Sequence, residues 1–265
     1  MLQAFSRKKS ATYLLYTGVR EMDGQRVNCE DEITSIVFGS LEFLPVSDCW
    51  VFWKALLNSP ANQGESGALP RDFFENEFQP ESCEFQFWRK FSGIEPDLWI
   101  QFIGTNKDER NLLVEIKWDA PLSGENQLER QWEEYSEDRS KSLHVFIAKN
   151  LREFPTNKKI WMNDGDKESC RLRGVRWHSL RQEINKISKY YPGMEKLKRW
   201  SNLVDGFLGL VGINTFVGFD ETKKNTEALS VSPEIVSRFW QGHSWFKKSV
   251  SLNDIQTNYV RFWRE

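Results

Sequence analysis

A chain of 265 residues, 39% of them hydrophobic and 28% charged, has enough apolar material for a sizeable core and enough length for one large or two small domains, and it contains no low-complexity tract. Its longest apolar run, Phe207 to Phe219, is broken by Gly209, Gly212, Asn214 and Gly218 and falls short of the ~20 residues of a membrane-spanning helix, so no span is expected and no membrane partner. The formal net charge of −2 hides an asymmetry: residues 1–140 hold 14 Lys+Arg against 25 Asp+Glu, net −11, and residues 141–265 hold 22 against 13, net +9.

The acidic half is suited to a cation and the basic half to a phosphate backbone. Met1 to Ser10 has no apolar stretch behind its basic residues, so no signal peptide is expected. Cys29, Cys49, Cys83 and Cys170 are scattered with no CxxC pair, so neither a zinc site nor a disulfide framework is expected. The compartment that fits is a reducing cytoplasm.

In chain order, Ala11 to Val19 reads as a strand. Ile33, Ile36, Val37, Leu41 and Leu44 form an apolar stripe at helical spacing, which predicts a helix over Cys29–Leu44 ended by Pro45. Glu30 lies three residues before Ile33 and seven before Val37, on the buried side of the first turn. A carboxylate there either caps the helix or points at a polar centre. The aromatics of Trp50 to Leu57 continue helical structure, and Asn58 to Pro70 is a loop rich in Gly, Ser, Asn and Pro.

Glu84 to Phe91 alternates apolar and polar residues and predicts a strand. Leu98, Ile100 and Phe102 alternate next, Gly104 to Arg110 is a polar reversal, and Leu112 to Trp118 returns, which together predict a hairpin. Glu115 and Lys117, at i and i+2, share one face of the pleat, and the pairing brings Asp97 beside Glu115. Buried charge without compensation is costly, so this convergence implies a site. Magnesium takes carboxylate oxygens, backbone carbonyls and waters in an octahedron, which suits Asp97, Glu115 and the carbonyl of Ile116. After a loop at Pro121 to Asn126, Gln127 to Glu137 has helical composition, and Gln127, Gln131 and Tyr135 recur at i, i+4, i+8 on one face, aimed back at the hairpin's end.

Pro96-Asp97, then Glu115-Ile116-Lys117, then Gln131-Trp132-Glu133-Glu134-Tyr135 resembles the PD-(D/E)xK nuclease superfamily, and the last segment is similar to the QxxxY helix of its RecB-type members. The resemblance implies a restriction-endonuclease-like α/β core over residues 1–189, with a central mixed sheet of four or five strands flanked by helices, and magnesium- or manganese-dependent hydrolysis of DNA phosphodiester bonds. It implies Asp97 and Glu115 as metal ligands and Lys117 as the group that orients or helps deprotonate the attacking water. Gln131, with Tyr135 behind it, is implied to hold a ligand carboxylate or the substrate strand. In the superfamily the first core helix commonly supplies a further acid, which carries over to Glu30, with Glu32 the second choice.

Leu143 to Lys149 reads as a buried strand, Gly174 to His178 as another and Leu180 to Lys189 as a helix, the superfamily's order of elements. The pattern changes at Tyr190, and residues 190–265 read as a mostly helical accessory subdomain: a helix over Met194–Leu210, a strand over Thr215–Phe219 and helical material over Pro233–Trp263. Trp240, Trp245, Phe246, Phe262 and Trp263 either stack bases or pack this layer onto the core. Basic clusters at Lys196-Lys198-Arg199 and Arg171-Arg173 are the expected DNA contacts.

His144, His178 and His243 have no partner at metal-ligand spacing. No Walker-type phosphate loop is present. Alternatives from other classes are a ribonuclease, a non-catalytic DNA-binding protein of the same fold, and a subunit activated by a protein partner in a restriction, transposition or anti-phage assembly. Cutting both strands would favour a homodimer.

Overall fold

The computed structural model describes residues 30–213 apart from 63–67, 71–72, 75–77, 91–92, 125, 136–137 and 164–165. The strand expected at Ala11–Val19, and the elements and aromatics expected from Thr215 onward, lie outside the described residues. The described residues all belong to one compact unit.

Helix α1 (Glu30–Val37) opens on Glu30, Asp31 and Glu32, whose charges complement the positive end of the helix dipole, and it buries Ile33 and Val37. The helix stops seven residues before the predicted Leu44. Beyond Gly39, the Ser40 hydroxyl donates to the carbonyls of Ile36 (2.8 Å) and Val37 (3.2 Å), which a continuing helix would use itself. The apolar stripe goes on through a 3-10 turn, Leu41–Phe43. Pro45, with its fixed φ and no N–H to lose, then precedes α2 (Val46–Asn58). Ring contacts lock α2 into the core, Trp50 meeting Phe102 edge-on at 5.0 Å and Trp53 stacking on Phe38 at 5.7 Å.

The central sheet has five strands in the order β1 (Pro80–Phe87), β2 (Leu98–Gly104), β3 (Glu109–Ile116), β4 (Ser142–Ala148) and β7 (Leu172–Arg176). Strand β1 (Pro80–Phe87) is an edge and starts with proline, where the missing donor does least harm. It ends four residues before the predicted Phe91, because Trp88 takes a positive φ of 49° and turns the chain. Strands β2 (Leu98–Gly104) and β3 (Glu109–Ile116) pair antiparallel as the predicted hairpin. Helix α3 (Gln127–Tyr135) crosses to β4 (Ser142–Ala148), which runs parallel to β3. A small hairpin, β5 (Met162–Asn163) and β6 (Asp166–Cys170), precedes β7 (Leu172–Arg176), which is parallel to β4. Helices α4 (Trp177–Tyr190) and α5 (Glu195–Leu210) follow.

Alternation sorts the sheet's two faces. Leu98, Ile100 and Phe102 of β2, Leu112, Val114 and Ile116 of β3 and Val145 and Ile147 of β4 pack with α1, α2, α4 and α5 in the larger core. Phe146, Ala148 and Leu172 face the other way, against Leu128 and Trp132 of α3 and Trp161. Gly174 lies on this second face: a Cβ there would sit 3.0 Å from both Leu151 and Phe154, so only glycine fits without a shift.

Two expectations are corrected by the structure. Arg171 and Arg173 are 2% and 0% exposed, not available to DNA. Their guanidinium groups turn inward, Arg171 towards the carbonyl of Ser142 (3.4 Å) and Arg173 to that of Asn62 (3.0 Å), and burial pulls Arg173 down to about 10. Helix α5, assigned by sequence to the accessory part, instead contributes Leu197, Trp200, Val204 and Leu208 to the larger core, with Trp200 edge-on to Phe52 at 5.0 Å. No helix among the described residues is long and apolar enough to cross a membrane.

Candidate active site

The hairpin pairs Leu98 with Val114 at its open end, which puts Asp97 opposite Glu115 one step further on. Asp97 is buried and its Oδ2 accepts the Ile116 N–H at 2.7 Å, so the residue after Pro96 is tied across to the strand end. Glu115 and Lys117 share a face as the period of two requires, with Lys117 Nζ 2.7 Å from Glu115 Oε1. The backbone of Lys117 is fixed on both sides: its N–H donates to Ile147 O at 2.7 Å and its carbonyl accepts from Trp177 Nε1 at 3.0 Å.

Glu30 reaches the same place from α1. Its Oε1 lies 3.2 Å from Lys117 Nζ and its Oε2 accepts the Trp118 N–H at 2.7 Å, so of the two roles open to it, the polar centre is the one it takes. Glu32 is buried in the same turn. From α3, Gln131 Nε2 donates to Glu115 Oε2 and Gln127 Nε2 donates to Glu115 Oε1, each at 2.7 Å. The i, i+4 spacing of the two glutamines is what lets one helix face grip both oxygens of one carboxylate.

Tyr135, one turn further on, goes elsewhere. Its hydroxyl donates to the carbonyls of Arg89 and Ile94, the latter at 3.1 Å, in the loop that leads into Pro96-Asp97. Burial pushes the phenol up to about 12, so it remains a donor at neutral pH. It therefore anchors that loop.

The electrostatics follow from crowding. Asp97 is pushed well above the usual carboxylate range by burial first and by the Glu115 charge second, against the pull of Lys117 and the Ile116 amide. Burial likewise raises Glu115, outweighing Lys117 and the Gln131 hydrogen bond. Burial alone lowers the Lys117 ammonium, but the charges of Glu115 and Asp97 win and hold it above its ordinary value. Three carboxylates, Glu30, Asp97 and Glu115, against one ammonium leave a formal charge of −2.

Just beyond, residues 117–121 after β3 and residues 148–150, 152 and 153 from the end of β4 line a cleft of about 290 Å³. It opens at the carboxyl ends of two parallel strands, where open α/β sheets take their ligands. Lys149 Nζ lies 2.7 Å from Asp119 Oδ1 and 4.3 Å from the Trp118 ring centre, and Arg152 is exposed at the rim. Lys196, Lys198 and Arg199 are exposed on α5.

Sequence reasoning missed three contributors. Gln127 was legible as part of the α3 face but not as a carboxylate holder. His144 stands in an apolar strand, SLHVFIA, and is fully buried with Nε2 3.3 Å from Gln131 Oε1; only its burial in such a run hints at a polar partner. Trp161, whose Nε1 meets His144 Nδ1 at 3.2 Å, gives no sequence signal. No family model, no curated protein and no solved structure matches the chain.

Proposed function

We propose that the chain is a metal-dependent nuclease with a restriction-endonuclease-like core, hydrolysing DNA phosphodiester bonds. The observation that carries this reading is the convergence of Glu30, Asp97, Glu115, Lys117 and Gln131, far apart in sequence, at the carboxyl end of the β2–β3 hairpin. The order of helix, three strands, helix and strand agrees with the PD-(D/E)xK core and supports the same reading. An anti-phage or mobile-element setting extends it by analogy.

The donor set fits magnesium or manganese. Two buried carboxylates with raised protonation, in a group of formal charge −2, are hard oxygen donors whose mutual repulsion a divalent cation relieves. Asp97 and Glu115 would hold it, with the Ile116 carbonyl completing the protein's share. When bound, such an ion lowers the pKa of a water and neutralises charge that develops on the attacked phosphate.

The protein's own groups do the rest. Lys117 Nζ, 2.7 Å from Glu115 Oε1, is placed to orient the attacking water or a phosphate oxygen, or to help deprotonate that water. Gln127 and Gln131 keep the Glu115 carboxylate in one orientation, and such supporting hydrogen bonds fix ligand geometry. Tyr135 fixes the loop that delivers Asp97. Lys149 and Arg152 offer cationic partners to phosphates flanking the cut, and Lys196, Lys198 and Arg199 offer a further contact to the backbone.

The purified protein with magnesium or manganese is expected to nick or degrade DNA. Asp97→Ala, Glu115→Ala and Lys117→Ala are each expected to lower the rate by about 10²–10³-fold, the scale on which preorganised electrostatic groups act. Wild-type activity unchanged by EDTA or by these substitutions contradicts the mechanism. Cleavage confined to RNA transfers the same chemistry to the other nucleic acid.

A further inference from the structure

Gln131 is fully buried, and both ends of its amide are engaged, Nε2 with Glu115 Oε2 at 2.7 Å and Oε1 with His144 Nε2 at 3.3 Å. The two ends of an amide have nearly the same shape, so its orientation is set by the groups it meets: the Glu115 carboxylate, which only accepts, at one end, and a group that must donate at the other. The donor at that other end is fixed from Trp161. Its indole N–H only donates, and it points at His144 Nδ1 at 3.2 Å.

Nδ1 must therefore be bare. Burial holds the His144 imidazole neutral, down to about 3, so it carries one proton, and that proton belongs on Nε2. Nε2–H then donates to Gln131 Oε1, which leaves the Gln131 NH₂ for Glu115. Every donor faces an acceptor, and reversing any member would set two donors or two acceptors against each other.

The chain's far end is held rigidly. The His144 ring stacks on Trp132, with centroids 6.0 Å apart and planes 7° apart, and the His144 N–H donates to Arg171 O at 2.8 Å. Arg171 N–H donates to Trp161 O at 2.9 Å, and Trp132 Nε1 donates to Ile160 O at 3.0 Å. The turn Lys159–Trp161 is thus tied to both α3 and the start of β7.

We propose that Trp161, His144 and Gln131 form a one-way buried hydrogen-bond relay that sets the donor end of Gln131 on Glu115, making His144 and Trp161 positioning residues of the site. The relay stands on the protein's own groups. Its effect on cation binding rests on the nuclease reading above.

A long-range ¹H–¹⁵N spectrum of the ¹⁵N-labelled full chain tests it, because protonated and bare imidazole nitrogens resonate far apart. His144 is assigned by elimination with His178→Asn and His243→Asn. The wild type is expected to have a bare Nδ1 and a protonated Nε2. Trp161→Phe, which keeps an aromatic ring and removes the donor, is expected to populate the other tautomer and to weaken Mn²⁺ binding about 10-fold, as removal of a ligand's supporting partner does. A wild-type His144 protonated on Nδ1, or a tautomer unmoved by Trp161→Phe, overturns the relay. The expected tautomers without Mn²⁺ binding to the wild type leave the relay standing and overturn the nuclease reading instead.

Discussion

Asp97 and Glu115 are carboxylates whose ionised forms the fold resists, and that resistance has a measurable sign. Unfolded, Asp97 loses its proton near the ordinary value of 3.8, and folded it does so at higher pH, chiefly because it is buried. Between the two values the native state binds more protons than the unfolded chain, so stability without divalent ions falls as pH rises through that window. Asp97→Asn keeps an acceptor for the Ile116 amide and removes the charge. It is expected to flatten this slope and raise the melting temperature at neutral pH, a gain of about 1 kcal/mol corresponding to about 2–4 °C for a chain of this size. Calorimetry in EDTA that finds the variant no more stable than the wild type contradicts this picture. Asp97, Glu115 and Lys117 were legible in sequence because strand periodicity and hairpin pairing are local rules. His144 and Trp161 were not, because the parallel pairing of β4 beside β3 and the turn before β5 bring them in over long range.

Among the elements, α3 has the widest reach, gripping Glu115 through Gln127 and Gln131 and the loop before Asp97 through Tyr135. Tyr135→Phe removes only the last grip. It is expected to cost about 0.5–1.5 kcal/mol, the usual worth of a hydrogen bond, and to speed exchange of the amides flanking Pro96. Unchanged exchange there would show that the loop is held by other contacts. The hairpin and α3 were predicted within a few residues because each announces itself by its own period. Helix α1 and strand β1 ran differently from their apolar patterns because single residues intervened, the Ser40 hydroxyl in one and the positive φ of Trp88 in the other. An apolar stripe fixes which side chains are buried, and it does not say whether the backbone between them stays regular.

At the scale of the whole molecule, α5 belongs with the sheet. Ending the chain at Thr215 is expected to preserve cooperative unfolding of the compact unit. Ending it at Tyr190 strips Leu197, Trp200, Val204 and Leu208 from the larger core and also the Arg181–Asp205 ion pair at 2.6 Å. At about 1.5–3 kcal/mol for each large apolar side chain, that removal rivals a domain's entire stability. A chain ending at Tyr190 that melts like the longer one would return the boundary to where the sequence pattern changes. The basic excess of the second half was legible only as a sum, since clustering in sequence does not tell an exposed cluster from a buried one. Arg171 and Arg173 turned inward, while Lys196, Lys198 and Arg199 are exposed. Reversing those three to Glu is expected to weaken DNA binding and to flatten its salt dependence by about 0.9 in slope for each phosphate no longer neutralised. Equal affinity and slope would place the cluster off the DNA path. The cation site itself is tested most directly by crystals grown with Mn²⁺ and measured at the manganese absorption edge. An anomalous peak is expected within ligating distance of the Asp97 and Glu115 carboxylates; a map with no peak there, from protein that cleaves DNA in the same solution, contradicts the site.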